Sequence, residues 1–185
     1  MMKYTDAQVE QTVNILLNGG VVVMPTDTVY GLVCSASNPA AVKRMYEIKQ
    51  RSGKPGTIIA GSVEQLVDIG FNETEINTAS QFWPGTVSVI LRASDNLDYL
   101  HMGKESLAVR IPDIEWLRAL LIQAGPLATT SANLPGEPTV TSAEQARNIF
   151  DDKVELYIDG GKITNGKPSK IVRILPSGET ETIRD

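Results

Sequence analysis

Helix signals and strand signals take turns along almost the whole of this chain, and that alternation restricts it to an α/β fold. Thr5 and Gln8 form a capping-box pair. Val9, Val13, Leu16 and Leu17 follow at helical spacing until Gly19-Gly20 ends the helix. Residues 21–24 read as a buried strand ended by Pro25. Asn38-Pro39 opens a second helix running to about Lys49, with Val42, Met45 and Tyr46 inward. Residues 57–60 form a short strand. Ser62 with Gln65, and Asn72 with Glu75, start two short helices. Residues 86–91 alternate Val87, Val89 and Leu91 as a strand does, and residues 107–111 form another. Residues 113–123 are an amphipathic helix (Trp116, Leu117, Leu120, Leu121) stopped by Gly125-Pro126, with a strand at 127–130. Thr141 with Glu144 caps a helix to Phe150. Strands at 154–158, 170–175 and 180–184 complete the chain, the last two joined by a Pro-Ser-Gly turn. A tight turn between strands requires antiparallel pairing. The expected fold is therefore one domain over residues 1–185: a twisted, mixed and largely antiparallel sheet with flanking helices.

Composition narrows the chemistry. No apolar run approaches the roughly 18 residues of a membrane helix, so no membrane partner is expected. The opening MMKYTDAQVEQ has no apolar stretch behind its lysine, which argues against a secretory leader and for a cytoplasmic protein. A single cysteine, Cys34, excludes a disulfide framework or a cysteine metal cluster. A single histidine, His101, excludes a histidine-based metal site. His101 reads as a surface residue in a polar loop, and Cys34 as a buried, inert thiol.

The net charge of −5 is unevenly spread. Residues 43–54 carry five basic side chains and one acid; residues 160–173 carry four basics and none. Together these stretches hold +8, and the rest of the chain −13. Two basic loops on an acidic protein suit a local anion site better than a broad nucleic-acid surface.

Gly161 to Pro168 comes close to a phosphate-binding loop. It has Pro168 where a magnesium-binding hydroxyl belongs, and a strand follows it in place of a helix. Four polar clusters remain. Pro25-Thr26-Asp27-Thr28-Val29-Tyr30-Gly31-Leu32 puts two hydroxyls, a carboxylate and a phenol at a strand end, where open α/β sheets bind ligands. Lys49-Gln50-Arg51 offers two cations at a helix end for a phosphate or carboxylate. Arg110, inside the apolar strand Ala108-Val109-Arg110-Ile111, must meet an Asp or Glu or point into an anion-binding cavity. Ser131-Ala132-Asn133 ends a hydroxyl-rich strand, with Ser131 and Asn133 on one face if the strand persists. Cations and neutral donors without a metal-ligand set or general base suit the positioning of two anionic substrates, as in phosphoryl or nucleotidyl transfer.

PTDTVYGL, K-x-R, LAVRIP and SAN, in this order and spacing, resemble the YrdC-like threonylcarbamoyl-adenylate synthase family across residues 8–184. The resemblance implies a twisted α/β fold with a concave basic cavity. It also implies synthesis of threonylcarbamoyl-AMP from L-threonine, bicarbonate and ATP, with Mg²⁺ carried on the ATP phosphates. Threonylcarbamoyl-transferase partner proteins would then pass the group to an adenosine beside the tRNA anticodon. Carried over by position, Thr28, Arg110 and Ser169 hold threonine. Lys49, Arg51, Ser106, Ser131, Asn133 and Arg184 meet the nucleotide, with Lys49, Arg51, Ser131 and Asn133 central to catalysis. Ser52 stands where relatives often have proline, and the loop 52–56 is one residue shorter than in some of them. Ala60 matches the short bacterial branch, whereas the longer branch carries a histidine there and a further C-terminal domain. Retention of both K-x-R and S-x-N separates the chain from a sister branch of unclear activity. The competing readings are a module that binds double-stranded RNA or tRNA without chemistry, and a nucleotide-binding protein without turnover.

Overall fold

A computed structural model describes residues 5–185. Met1 to Tyr4, the start of the opening segment read for a leader, lie outside the described residues. The chain runs α1 (Asp6–Leu17), β1 (Val22–Pro25), β2 (Tyr30–Ser35), α2 (Pro39–Ile48), β3 (Thr57–Ile59), α3 (Val63–Ile69), α4 (Glu73–Ala79), β4 (Val87–Arg92), α5 (Asp98–His101), β5 (Ser106–Arg110), α6 (Glu115–Ala124), β6 (Leu127–Ser131), α7 (Ala143–Phe150), β7 (Leu156–Tyr157), β8 (Lys170–Ile174) and β9 (Thr180–Arg184). The helix starts follow their caps. Thr5 and Gln8 close a reciprocal box on α1. Asn38, Ser62 and Asn72 each accept an N–H from the first turn of α2, α3 and α4.

The nine strands of the described residues join one sheet, in the order β7-β1-β2-β6-β3-β5-β4-β8-β9. The pairs β1/β7, β3/β5 and β4/β8 are parallel; the other five are antiparallel. The mixed, mainly antiparallel sheet expected from the sequence is present. One face carries the larger core, where α2, α4, α5 and α7 bring Val42, Met45, Ile76, Leu100, Ala146 and Phe150 against Leu32, Ile58, Leu107 and Val109. On the opposite face α1 and α6 cover only the β1-β2-β6-β3 half, packing Val13, Leu16, Leu117 and Leu121 on Val22, Val33, Ile59 and Leu127. Beyond the edge of those two helices the same face stays open along β5, β4, β8 and β9. That unequal coverage creates the concavity.

Four local expectations need correction. Residues 30–35 form β2, a strand that periodicity does not reveal. Tyr30, Leu32 and Cys34 enter the larger core while Val33 enters the smaller one, so both faces are buried and no apolar–polar alternation exists. The cap of α7 is Ser142, not Thr141: Ser142 accepts the Gln145 N–H, and Thr141 bonds the Gln145 side chain from one residue outside. The strand at 154–158 shrinks to Leu156–Tyr157. Leu17, which the sequence groups with Val9, Val13 and Leu16 at helical spacing, is exposed, while its neighbour Leu16 is buried against α6 in the smaller core.

His101 is also not a surface residue. It closes the one-turn helix α5, is 3% exposed, accepts the Glu105 N–H at Nδ1 and leaves Nε2 without a hydrogen-bond partner among the described residues. Cys34 is buried as expected, and burial pushes its thiol up to about 12. Among the described residues no helix is long and apolar enough to cross a membrane.

Candidate active site

The concavity narrows to a cavity of about 100 Å³ lined by Thr28, Arg51, Arg110, Ser131, Ser169 and Arg184, with Gly31, Gly56 and Thr57 on its floor. Strand ends and connections from both halves of the sheet supply these groups.

The β1–β2 connection, residues 26–29, is knitted by one hydroxyl. Thr26 Oγ1 donates to Val29 O at 2.7 Å and lies 3.1 Å from Thr28 Oγ1. With the Thr26 proton committed to Val29, Thr28 is the donor between the two hydroxyls. Thr28 itself lines the cavity. The side chain of Asp27, in the same connection, is 2% exposed and takes Arg110 in both oxygens: Nε to Oδ2 at 3.0 Å and Nη2 to Oδ1 at 2.7 Å. Arg110 therefore satisfies both sequence expectations, pairing a carboxylate and lining the cavity. Its Nη1 donates to Ser88 Oγ at 3.0 Å, and Ser88 Oγ bonds Ser169 Oγ at 2.9 Å. Arg184 completes the line, donating from Nε and Nη2 to Ser169 O at 3.0 and 2.7 Å. The terminal hairpin β8–β9 is thus tied to β4 and β5 through polar groups.

The K-x-R pair divides its work. Arg51 spreads over the loop that follows it, with Nη2 on Pro55 O at 2.7 Å, Nε on Lys54 O, and Nη1 on Thr130 Oγ1 at 2.8 Å. It fixes residues 52–56 and still reaches the cavity. Lys49 lies behind the wall. It is 3% exposed, and its Nζ donates to Ser131 O at 2.6 Å, to Asn133 Oδ1 at 3.1 Å and to Asn133 O. Burial, reinforced by Arg51, lowers its pKa from 10.5 to about 8. Asn133 is buried as well, donating from Nδ2 to Leu134 O and Glu137 O at 2.9 and 2.7 Å. The strand ends at Ser131, so Asn133 does not alternate onto one face with it. Ser131 lines the cavity while Asn133 and Lys49 brace the turn beneath.

Ser106 stands apart. It shares the open face of β5 with Arg110 but sits at the opposite end of the strand, in a separate groove with Arg92 and Arg173. Three residues of extended chain lie between Ser106 and Arg110. Asp27 and Gly31, which the sequence placed in its first polar cluster without assigning them a role, belong to this cavity or its supports, as do Ser88 and Thr129. A second advance signal was the need of Arg110 for an acidic partner or an anion-binding cavity.

Three guanidinium groups, Arg51, Arg110 and Arg184, meet at the cavity with Asp27 as their close counter-charge. Burial lowers the pKa of Arg184, and repulsion from Arg110 and Arg51 lowers it further. A desolvated positive excess, ringed by neutral hydroxyls, attracts anionic groups and fixes their orientation.

The fold and this cavity define a protein of the YrdC-like class. The family model described as "Telomere recombination" (Sua5_yciO_yrdC) matches residues 14–185, and the chain belongs to that family. A threonylcarbamoyl-AMP synthase of Bacillus subtilis is 35% identical over 173 residues, covering 90% of this chain and 50% of the relative. One from Vibrio campbellii is 32% identical over 169 residues, covering 88% of this chain and 91% of the relative. Among solved structures, P. abyssi Sua5 complexed with L-threonine superposes with a TM-score of 0.87 at 31% identity, over 99% of this chain and 55% of that one. E. coli YciO superposes at 0.83 with 25% identity, over 99% of this chain and 91% of that one. The chain thus spans about half the length of the Bacillus and Pyrococcus proteins and nearly all of the Vibrio protein and YciO.

Proposed function

We propose that this chain is an L-threonylcarbamoyladenylate synthase, joining L-threonine, bicarbonate and ATP into threonylcarbamoyl-AMP with release of pyrophosphate. The observation that carries this reading is the meeting of Arg51, Arg110 and Arg184 with Thr28, Ser131 and Ser169 in one cavity. The likeness to synthases and to a structure holding L-threonine supports it.

Arg110 and Thr28 receive threonine, with Ser169 beside them; Arg51, Ser131 and Arg184 receive the ATP phosphates. Lys49 and Asn133 act by holding Ser131 in place. Ser106 reaches the nucleotide only if ATP extends along β5 to the far groove. The threonine amine forms an N–C bond to bicarbonate carbon with loss of water, and an oxygen of the resulting carbamate attacks the α-phosphorus in line. The bond from that phosphorus to the bridging oxygen breaks, and pyrophosphate leaves. Fixed cations neutralise the charge on the phosphate oxygens, which is the main service a protein gives such a transfer. No group of three or more His, Cys, Asp or Glu side chains is placed to hold a metal among the described residues, and both oxygens of Asp27 are engaged. The site therefore fits Mg²⁺ bound by ATP phosphates better than a protein cage. Threonylcarbamoyl-transferase partners and tRNA are the expected recipients of the product, in the cytoplasm.

Pyrophosphate release, with each substrate omitted in turn, tests this reading. Release should need threonine, bicarbonate, ATP and Mg²⁺ together; equal release without threonine would leave a plain ATPase.

A further inference from the structure

A guanidinium carries five N–H donors on three nitrogens. Asp27 engages Nε and one hydrogen of Nη2, and Ser88 engages one hydrogen of Nη1. Two hydrogens of Arg110 remain, one on each terminal nitrogen, with no partner among the described residues. Arg110 lines the cavity, so these are the donors a substrate can meet. A pair of terminal nitrogens matches the two oxygens of a carboxylate.

We propose that Asp27 is a positioning residue for carboxylate recognition: by occupying the Nε edge of Arg110, it keeps the Nη1/Nη2 end turned toward the substrate's carboxylate. The proposal rests on reading Arg110 as the threonine-binding arginine. Two features give Asp27 this part. Its backbone is fixed by the Thr26 hydroxyl bond to Val29 O, so the carboxylate has a set position. Its two oxygens are spent on Arg110, so it neutralises the arginine without offering a free charge to a substrate ammonium. Ser88, bound between Arg110 and Ser169, sets the same guanidinium from its other side. Without Asp27, Arg110 has one short bond to Ser88 and is free to turn toward whichever anion is nearest, phosphate included.

The test uses the full chain with Asp27→Asn and Ser88→Ala beside wild type. L-Threonine is compared with L-threoninamide, which has the same side chain and no carboxylate. Asp27→Asn should raise the KM for threonine about tenfold, the cost of one misaligned charge-assisted contact. The KM for ATP should stay within about twofold, because the phosphate-facing arginines are untouched. The preference for threonine over threoninamide should narrow by the same factor of about ten. Ser88→Ala should shift the same quantities in the same direction by a smaller factor, and it carries the test if Asp27→Asn fails to fold. An unchanged threonine preference, or equal rises in both KM values, would overturn the proposal. Calorimetric binding of threonine and threoninamide separates this failure from that of the synthase reading. If wild type binds threonine but releases no threonine-dependent pyrophosphate, the activity is wrong while the role of Asp27 is still decided by the binding preference.

Discussion

The ammonium of Lys49, at the end of α2, lies 2.6 Å from the carbonyl oxygen of Ser131, at the end of β6. Eighty-two residues separate the partners, and the contact joins the K-x-R and S-x-N motifs into one unit. It makes Lys49 a brace for Ser131.

Lys49→Ala should therefore cost stability as well as rate. The sequence position alone, a helix end beside a loop, predicts a loss of about 1 kcal/mol or less. The two Asn133 oxygens lose their Lys49 donor inside the protein, while Ser131 O keeps the Asn133 N–H, and this raises the loss to about 1–3 kcal/mol even after the charge-burial penalty is relieved. Turnover should fall on the order of 10²–10³, as when a preorganised site loses a fixed donor. Thermal unfolding beside steady-state pyrophosphate release measures both. A variant with near wild-type turnover removes Lys49 from the site.

The lowered pKa of Lys49 gives opposite pH trends for stability and activity. Below pH 8 both folded and unfolded chains carry the charge, and the burial cost is full. Between about 8 and 10.5 the unfolded chain binds more protons at this group, so its contribution to stability rises with pH. Turnover should fall over the first part of that window, as Nζ loses a donor hydrogen. The difference between wild type and Lys49→Met, in unfolding free energy from pH 7 to 9.5, isolates the group from titrating tyrosines. A flat difference would show that the ammonium stays protonated.

Arg51→Ala should separate rate from stability. Its guanidinium binds two carbonyls of its own loop and the hydroxyl of buried Thr130, three neutral acceptors of which the Lys54 carbonyl is exposed, so unfolding should shift by only about 1 kcal/mol. Turnover should drop on the order of 10²–10³, because a phosphate-facing cation and the shape of residues 52–56 go together. Arg51→Lys should not restore it: one ammonium cannot hold three acceptors in a plane. Recovery of the lysine variant to wild-type rates would refute that account.

Gly31→Ala probes the cavity floor. An added Cβ would lie 2.9 Å from Thr129 Oγ1 and 3.1 Å from Thr26 Cγ2. Thr26 cannot retreat without breaking its bond to Val29 O. The expected result is a destabilisation of about 1–3 kcal/mol, typical of overpacking, with weaker threonine binding from the narrowed floor. Calorimetry and thermal unfolding check the two effects. A fully active, equally stable Gly31→Ala protein would show that β2 and β6 separate more easily than their packing suggests.

The sequence alone determined the features that depend on neighbours in the chain. Caps at Thr5, Asn38, Ser62 and Asn72, apolar spacing in α2 and α6, and the turn between β8 and β9 are local chemistry, legible from a few consecutive residues. The ordered motifs marked Thr28, Arg51, Arg110, Ser131, Ser169 and Arg184, which the fold gathers at one cavity. Tertiary structure decided everything that depends on burial and on long-range partners. β2 escaped notice because a strand buried on both faces loses its period of two. His101 was misplaced because a polar neighbourhood in sequence says nothing of what packs above it. Lys49 and Asn133 moved from the cavity wall to its support because β6 ends at Ser131. The charge at Arg110 announced either an acidic partner or an anion-binding cavity, since an unpaired buried cation is too costly to keep. Only the pairing of the β1–β2 connection with β5 across the sheet could say that the partner is Asp27.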